Sequence, residues 1–313
     1  MQSYNHCNIY VVVVTWNGMQ WIDRCLSDLR ASTISVSTIV VDNGSSDGTV
    51  EHIQEAFPEV SVHQMDRNLG FGQANNFGIK EALEQGADFV YLLNQDAYVY
   101  PDMFEHLVDT YSNVKDSNIG IVSPLHLYRD NVHFDYQFKG YLSAISADMA
   151  EDLMLSSPKP FYIVDMVPAA GWLLPKKTIE IIGGFDPIFF HYGEDVQYTQ
   201  RIKYHGLSTI VVPDAKMIHD RNGFGNEKMA RRDEFFCGLK TYYFLNINYN
   251  KKTLVNKLMR VAISYMFESI RCLFRGEFKN FGRYYSAFIR NIIYIPQYRK
   301  NRQINRQKGA NWI

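Results

Sequence analysis

FVYLLNQDAYV, residues 89–99, runs through five apolar residues into Asn94-Gln95-Asp96 and then turns apolar again. No polar residue alternates between Phe89 and Leu93, so a strand here must be covered on both faces, as in parallel sheets. Asn and Asp at its end would suit a turn for their local backbone bonding alone. The other reading is functional: the carboxyl ends of parallel strands form the rim where open α/β sheets place ligands and ions. What ends beside this strand decides between the two.

Upstream, NIYVVVVTWN (8–17) is a second doubly buried strand, and the helix after it carries Trp21, Cys25 and Leu29 at a spacing of four. In STIVVDNGSSDGT (37–49) the apolar Ile39-Val40-Val41 stops at Asp42-Asn43-Gly44. Ser46-Asp47-Gly48-Thr49 then offers turn and N-cap chemistry for a helix from about Val50 to Ala56. A short strand near Val60-Ser61-Val62 leads to an Asn- and Gly-rich loop, RNLGFGQANNFG (67–78), and a helix through Ile79–Leu83 ends at Gly86. This alternation predicts βα units and a parallel sheet. Three polar strand ends then share one rim: Thr15-Trp16-Asn17, Asp42-Asn43 and Asn94-Gln95-Asp96. Residues 110–160 mix Asn, Asp and Tyr with short apolar pieces and read as a mobile or acceptor-facing insertion. Beyond them the pattern predicts a helix over 176–182 ending at Gly183-Gly184, a helix opened by Glu194-Asp195, and a strand over Thr209–Val212 followed by His219.

The chain has 313 residues, 46% hydrophobic, enough for a full core and too apolar for disorder. Cys7, Cys25, Cys237 and Cys272 form no CxxC pair or metal-ligand spacing and read as core residues of a reducing compartment. Ile9–Val14 is too short for a secretory signal or a membrane span, so a cytoplasmic protein is expected. From Lys228 to the end there are 18 Lys and Arg against 4 Asp and Glu, leaving 14 against 29 before it. An acidic body with a basic tail points to an anionic partner surface for the tail. Gly70-Phe71-Gly72 begins a dinucleotide fingerprint, but Asn75 replaces the third glycine, and neither a P-loop nor a nucleophile elbow is present.

The ordered pieces VVVVTWN, IVVDNGSSDGT, RNLGFGQANNFGI, LLNQDAYV, GGFDPIFFHYGEDVQYTQR and VVPDAKMIHD resemble a family 2 glycosyltransferase of the GT-A fold, on its rhamnosyltransferase-like branch, over residues 8–221. The resemblance implies an α/β fold with a Rossmann-like, mostly parallel sheet flanked by helices. It implies donor contacts from Thr15, Asn17, Asp42, Asn43, Arg67, Asn75, Asn94, Gln95 and Arg201, a divalent Mg²⁺ or Mn²⁺ on Asp96 with His219 as a further ligand, and Asp195 as catalytic base beside Glu194. Two positions depart from the family pattern: Asn94 stands at the first Asp of D-x-D, and Gln197 replaces the second acidic residue after Glu194-Asp195. Plain structural roles compete at two of these places, three residues in all. Glu194-Asp195 also suits an acidic first helical turn, and a lone His after a strand is often structural.

Moving a sugar from a nucleoside diphosphate requires a neutralised leaving group and a deprotonated acceptor hydroxyl. A hard cation held by one carboxylate and substrate phosphates meets the first need. The expected layout is a catalytic domain over 1–227, with a nucleotide-sugar half to about 110 and an acceptor half over 111–227, and a basic amphipathic helical extension over 228–313. The expected activity is inverting transfer of a sugar, rhamnose foremost, from a dTDP- or UDP-sugar to a lipid-linked glycan in surface polysaccharide synthesis. A nucleotidyltransferase, or a non-catalytic nucleotide- or sugar-binding module, is the rival. Leu254, Leu258, Val261 and Tyr265 recur at helical spacing in the tail, which is expected to meet the inner face of the cytoplasmic membrane rather than nucleic acid.

Overall fold

The computed structural model describes residues 7–114, 118–142, 147–220, 247–248 and 250–313. Cys237 and the onset of the basic extension at Lys228 lie outside them. Four strands open the chain: β1 (Ile9–Thr15), β2 (Ser37–Asp42), β3 (Ser61–Gln64) and β4 (Phe89–Asn94). They run parallel in the order β3-β2-β1-β4, joined by α1 (Ile22–Arg30), α2 (Thr49–Ala56) and α3 (Phe71–Glu84). β-Branched residues suit this doubly covered position. Val11 and Val13 face a core shared with Ile22 and Leu26 of α1, while Val12 faces the opposite core with Ile79 of α3. Fully burying such a side chain stabilises the fold by roughly 1.5–3 kcal/mol.

Past β4 the sheet becomes mixed. β5 (Ala97–Val99) and α4 (Met103–Asn113) lead to β6 (Ile119–Tyr128), then α5 (Tyr136–Leu142), α6 (Ala147–Met154), β7 (Tyr162–Val164), β8 (Gly171–Pro175), α7 (Lys176–Ile182), α8 (Glu194–Tyr204) and β9 (Ser208–His219). β8 pairs antiparallel with β4 and β6, β6 runs parallel to β9, and β5 and β7 pair antiparallel with β9. Parallel pairing thus belongs to the first four strands and to β6–β9.

Within residues 110–160, the stretch 119–128 is not part of an insertion. β6 is buried along nearly all its length between β8 and β9, so Ile119–Val122 belong to the central sheet, and both expected halves of the catalytic domain share that sheet. The strand GWLLP (β8), not foreseen from the sequence, brings its amino end to the rim: the Asn94 backbone N–H donates to the Ala170 carbonyl just before it. RNLGFGQANNFG is likewise no simple loop, because α3 begins at Phe71. Its glycines are used for close packing, Gly72 on Phe185 and Gly78 on Val12, and the Asn76 side chain pairs with both the N–H and the carbonyl of Phe185. Tertiary contacts here override weak helix propensity.

Three helices close the chain, α9 (Lys251–Phe274), α10 (Phe278–Ile293) and α11 (Ile295–Asn305). The Asn250 side chain caps α9 by accepting from the Thr253 N–H at 2.8 Å. α11 is fixed to the segment between α7 and α8: the Asn301 and Asn305 amides donate to the two oxygens of buried Asp186 at 2.6 and 2.7 Å. Tyr298 packs with Phe189.

Candidate active site

The rim is built from loops laced to one another. Thr15 ends β1 and donates from its hydroxyl to Asp42 at the end of β2 (2.8 Å). Asp42 is fully buried, and it also accepts from the Gly44 and Ser45 amides and the Ser45 hydroxyl. Asn17, held at φ 47°, donates its N–H to Ser45 and accepts from the Ser46 N–H at 2.9 Å. Asn43 accepts from the Leu69 N–H at 3.0 Å and donates to the Gly70 carbonyl. Gln95 closes the lacing, its amide accepting from the Trp16 N–H at 2.9 Å and donating to the Trp16 carbonyl. Trp16 itself is exposed above this clamp. Arg67 is exposed on the loop before α3, with its backbone against Gly44. Positive φ occurs at Asn17, Gly44, Gly70 and Tyr192-Gly193; glycine adopts it freely, whereas at Asn17 and Tyr192 it is a strained backbone of the kind that clusters at functional loops.

Asp96 and His219 meet where the β4–β5 turn reaches the end of β9. His219 Nε2 lies 3.3 Å from Asp96 Oδ1 and 3.4 Å from the Asn94 amide nitrogen. The imidazole is buried, whereas Asp96 retains access to solvent. Behind it Asp135, a residue the sequence did not single out, sits with its carboxylate 3.7 Å from Nδ1. Asp135 is fixed by the Phe138 N–H, which donates to it, and by its own N–H, which donates to the His126 carbonyl. Among the described residues no three His, Cys, Asp or Glu side chains are grouped to hold an ion alone. Asp96 and His219 nonetheless fit a shared cation: two ligands at right angles around an ion with bonds of about 2.1 Å stand about 3 Å apart. One carboxylate and one imidazole suit Mg²⁺ or Mn²⁺ whose remaining ligands are substrate phosphates and water.

Glu194 and Asp195 open α8 directly after the left-handed Tyr192-Gly193 pair. They differ in environment. Glu194 is buried, its Oε2 lacks a hydrogen-bond partner, and burial, then the neighbouring Asp195, pushes its carboxyl up to about 8. Asp195 is half-buried and accepts from the Val196 N–H at 2.7 Å. Burial thus favours the neutral form of Glu194, whereas Asp195 keeps access to solvent. The amino end of α3 closes on this loop: Phe71 N–H donates to the Phe190 carbonyl, and a side chain at Gly70 would overlap that carbonyl.

Arg201 and Asn75 stand apart from the rim. Arg201 is buried, its guanidinium donating to the Ile182 and Gly184 carbonyls and to Asn305, so it joins α8 to α11. An Arg on the fourth-residue face of α8 turns into the core, which spacing alone did not disclose. Asn75 is buried and donates to the Phe71 carbonyl within its own helix. Gln197 has both amide atoms buried without a hydrogen-bond partner.

Residues 10–142 match the family described as Glycosyl transferase family 2. The chain is 24% identical over 213 residues to the dTDP-rhamnosyl transferase RfbF of Shigella flexneri, covering 68% of this chain and 69% of that protein. It is 25% identical over 236 residues to the N-acetylglucosaminyl-diphospho-decaprenol L-rhamnosyltransferase of Mycobacterium tuberculosis, covering 67% and 75%. In fold it is similar to GalNAc-T7, solved with UDP, GalNAc and Mn²⁺ (TM-score 0.57, 17% identical, 78% of this chain and 50% of that one). It is also similar to the mannosyltransferase PcManGT of Pyrobaculum calidifontis, solved with GDP-Man and Mn²⁺ (TM-score 0.55, 15% identical, 93% and 88%). The fold is GT-A, residues 10–142 match the family 2 glycosyltransferases, and the chain is similar to two rhamnosyltransferases at 24 and 25% identity.

Proposed function

We propose that the chain is a metal-dependent, inverting glycosyltransferase that moves a sugar, rhamnose foremost, from a dTDP- or UDP-sugar to a lipid-linked glycan acceptor in surface polysaccharide synthesis. The observation that carries this is the convergence of Asp96 and His219 on the rim shared with the Thr15–Asp42 loop. Asn17, Asn43, Arg67 and Gln95 shape the donor side, with Asp42 organising the loop from beneath. Asp96 and His219 would hold Mg²⁺ or Mn²⁺, which when bound neutralises the leaving diphosphate. Asp195 takes the acceptor hydroxyl proton, and Glu194, keeping its own, lowers the negative charge beside it. Inversion follows the family resemblance. Two relatives named as rhamnosyltransferases support the sugar, and one of them, by its name, acts on a lipid diphosphate.

The work site is proposed to be the inner face of the cytoplasmic membrane, reached through the basic C-terminal region. No helix among the described residues is long and apolar enough to cross a membrane. Thermal stabilisation by a panel of nucleotide sugars with Mn²⁺ or Mg²⁺, followed by mass analysis of products on a lipid-diphosphate glycan, tests the assignment. Stabilisation and transfer by a dTDP- or UDP-sugar are expected. Donor binding with neither transfer nor hydrolysis would favour a non-catalytic binding module, and nucleotidyl transfer would favour the other rival.

A further inference from the structure

The outer face of α9 is apolar and exposed. Val255, Met259, Ile263, Met266, Ile270 and Phe274 are 41 to 87% exposed and, at about 100° per residue, fall within a sector of about 100°. This is not a core face turned outward, because α9 already has one: Tyr265, Ser269 and Cys272 are buried on its far side, and Leu258 and Val261 pack toward Phe189 and Tyr298. α10, which packs on α9, also exposes Phe278, Tyr285 and Ile292. A contiguous exposed apolar stripe rimmed by polar residues marks a docking surface.

Charge selects the occupant. Between Lys251 and Ile293 there are nine Lys and Arg against two Glu, with Arg260 and Arg271 flanking the α9 stripe and Lys279 and Arg283 on α10. A second copy meeting this face about a two-fold axis would oppose like charges. Anionic lipid headgroups attract the same basic border while the boundary beneath them takes the apolar side chains. We infer that α9 and α10 form a lipid-docking hairpin, lying in the plane of an anionic membrane with the stripe at the headgroup–acyl boundary. This rests on the membrane-facing function proposed above and names the surface that performs it. Because Leu258 and Val261 of α9 pack on the cluster of Phe189 and Tyr298, and Phe189 lies in the segment leading to Glu194-Asp195, docking sets the catalytic pair beside the lipid surface from which the acceptor comes.

The test is flotation of the full chain with phosphatidylcholine vesicles, with or without phosphatidylglycerol, alongside sugar transfer to a soluble acceptor analogue. Wild type should float with phosphatidylglycerol vesicles. A variant carrying Met259→Ser, Ile263→Ser, Met266→Ser and Phe274→Ser should lose binding by about tenfold or more while keeping its melting temperature and soluble transfer. Arg260→Gln with Lys279→Gln and Arg283→Gln should lose chiefly the phosphatidylglycerol preference and the salt sensitivity seen between about 0.1 and 1 M. A folded Ser variant that floats like wild type overturns the inference. So does a wild type that ignores vesicles but dimerises through the stripe, losing its dimer in the Ser variant. Flotation without sugar transfer would instead leave the docking face standing and remove the enzymatic reading.

Discussion

At the scale of single residues, the Glu194-Asp195 pair places two adjacent carboxyls in different environments, and the proposed roles follow from that difference. Asp195→Asn is expected to lower transfer by roughly 10²- to 10⁴-fold with donor affinity retained, the usual loss for a general base. Glu194→Gln, which keeps a neutral polar group in place, should be far milder. Steady-state kinetics of both variants decide the matter, and a dead Glu194→Gln beside an active Asp195→Asn would reverse the roles. The same pair makes a pH prediction. Glu194 is raised above its unfolded value of 4.5, so its contribution to stability is fully present below about pH 4.5 and is lost as pH rises through about 8. Across that window stability falls with pH by at most about 1.4 kcal/mol per unit. Glu194→Gln should remove this part of the slope and gain on wild type as pH rises, as read by denaturant unfolding at a series of pH values.

At the scale of elements, the central event is the close approach of α3 to β1 and to the segment before α8. Gly78 packs on Val12 of β1 without room for a methyl group, so Gly78→Ala is expected to cost about 1–3 kcal/mol through overpacking. Chemical denaturation checks it, and an unchanged midpoint would show that the helix shifts freely. These contacts also explain what the sequence disclosed and what it hid. The doubly buried strands β1, β2 and β4 were legible because runs of Val, Ile and Leu with polar ends have few other solutions, and their ends do share a rim. The first turns of α3 were illegible because Gly70-Phe71-Gly72 and Asn75-Asn76 form a helix only when Phe185, Phe190 and Val12 are there to receive them. Asp135 was hidden for a related reason: only the pairing of β6 with β9, Tyr128 opposite His219, brings the chain after β6 behind the imidazole.

At the scale of the molecule, α11 and the catalytic core are joined by buried polar contacts, so the extension is part of the machine that supports α8. Asn305 serves Asp186, Arg201 and the indole of Trp312 at once. Asn305→Ala strands these buried partners and should lower stability by about 1–3 kcal/mol, seen as a lower denaturant midpoint with Asp96 chemistry otherwise intact. A variant as stable as wild type would show that α11 is merely attached. Above all these contacts stands the claim that the rim holds a nucleoside-diphosphate donor through an ion on Asp96. Calorimetric titration of wild type and Asp96→Asn with dTDP and UDP, with and without Mn²⁺, tests it most directly. The account predicts Mn²⁺-strengthened binding in wild type that is lost in Asp96→Asn; equal affinity and equal Mn²⁺ dependence in the two proteins would contradict it.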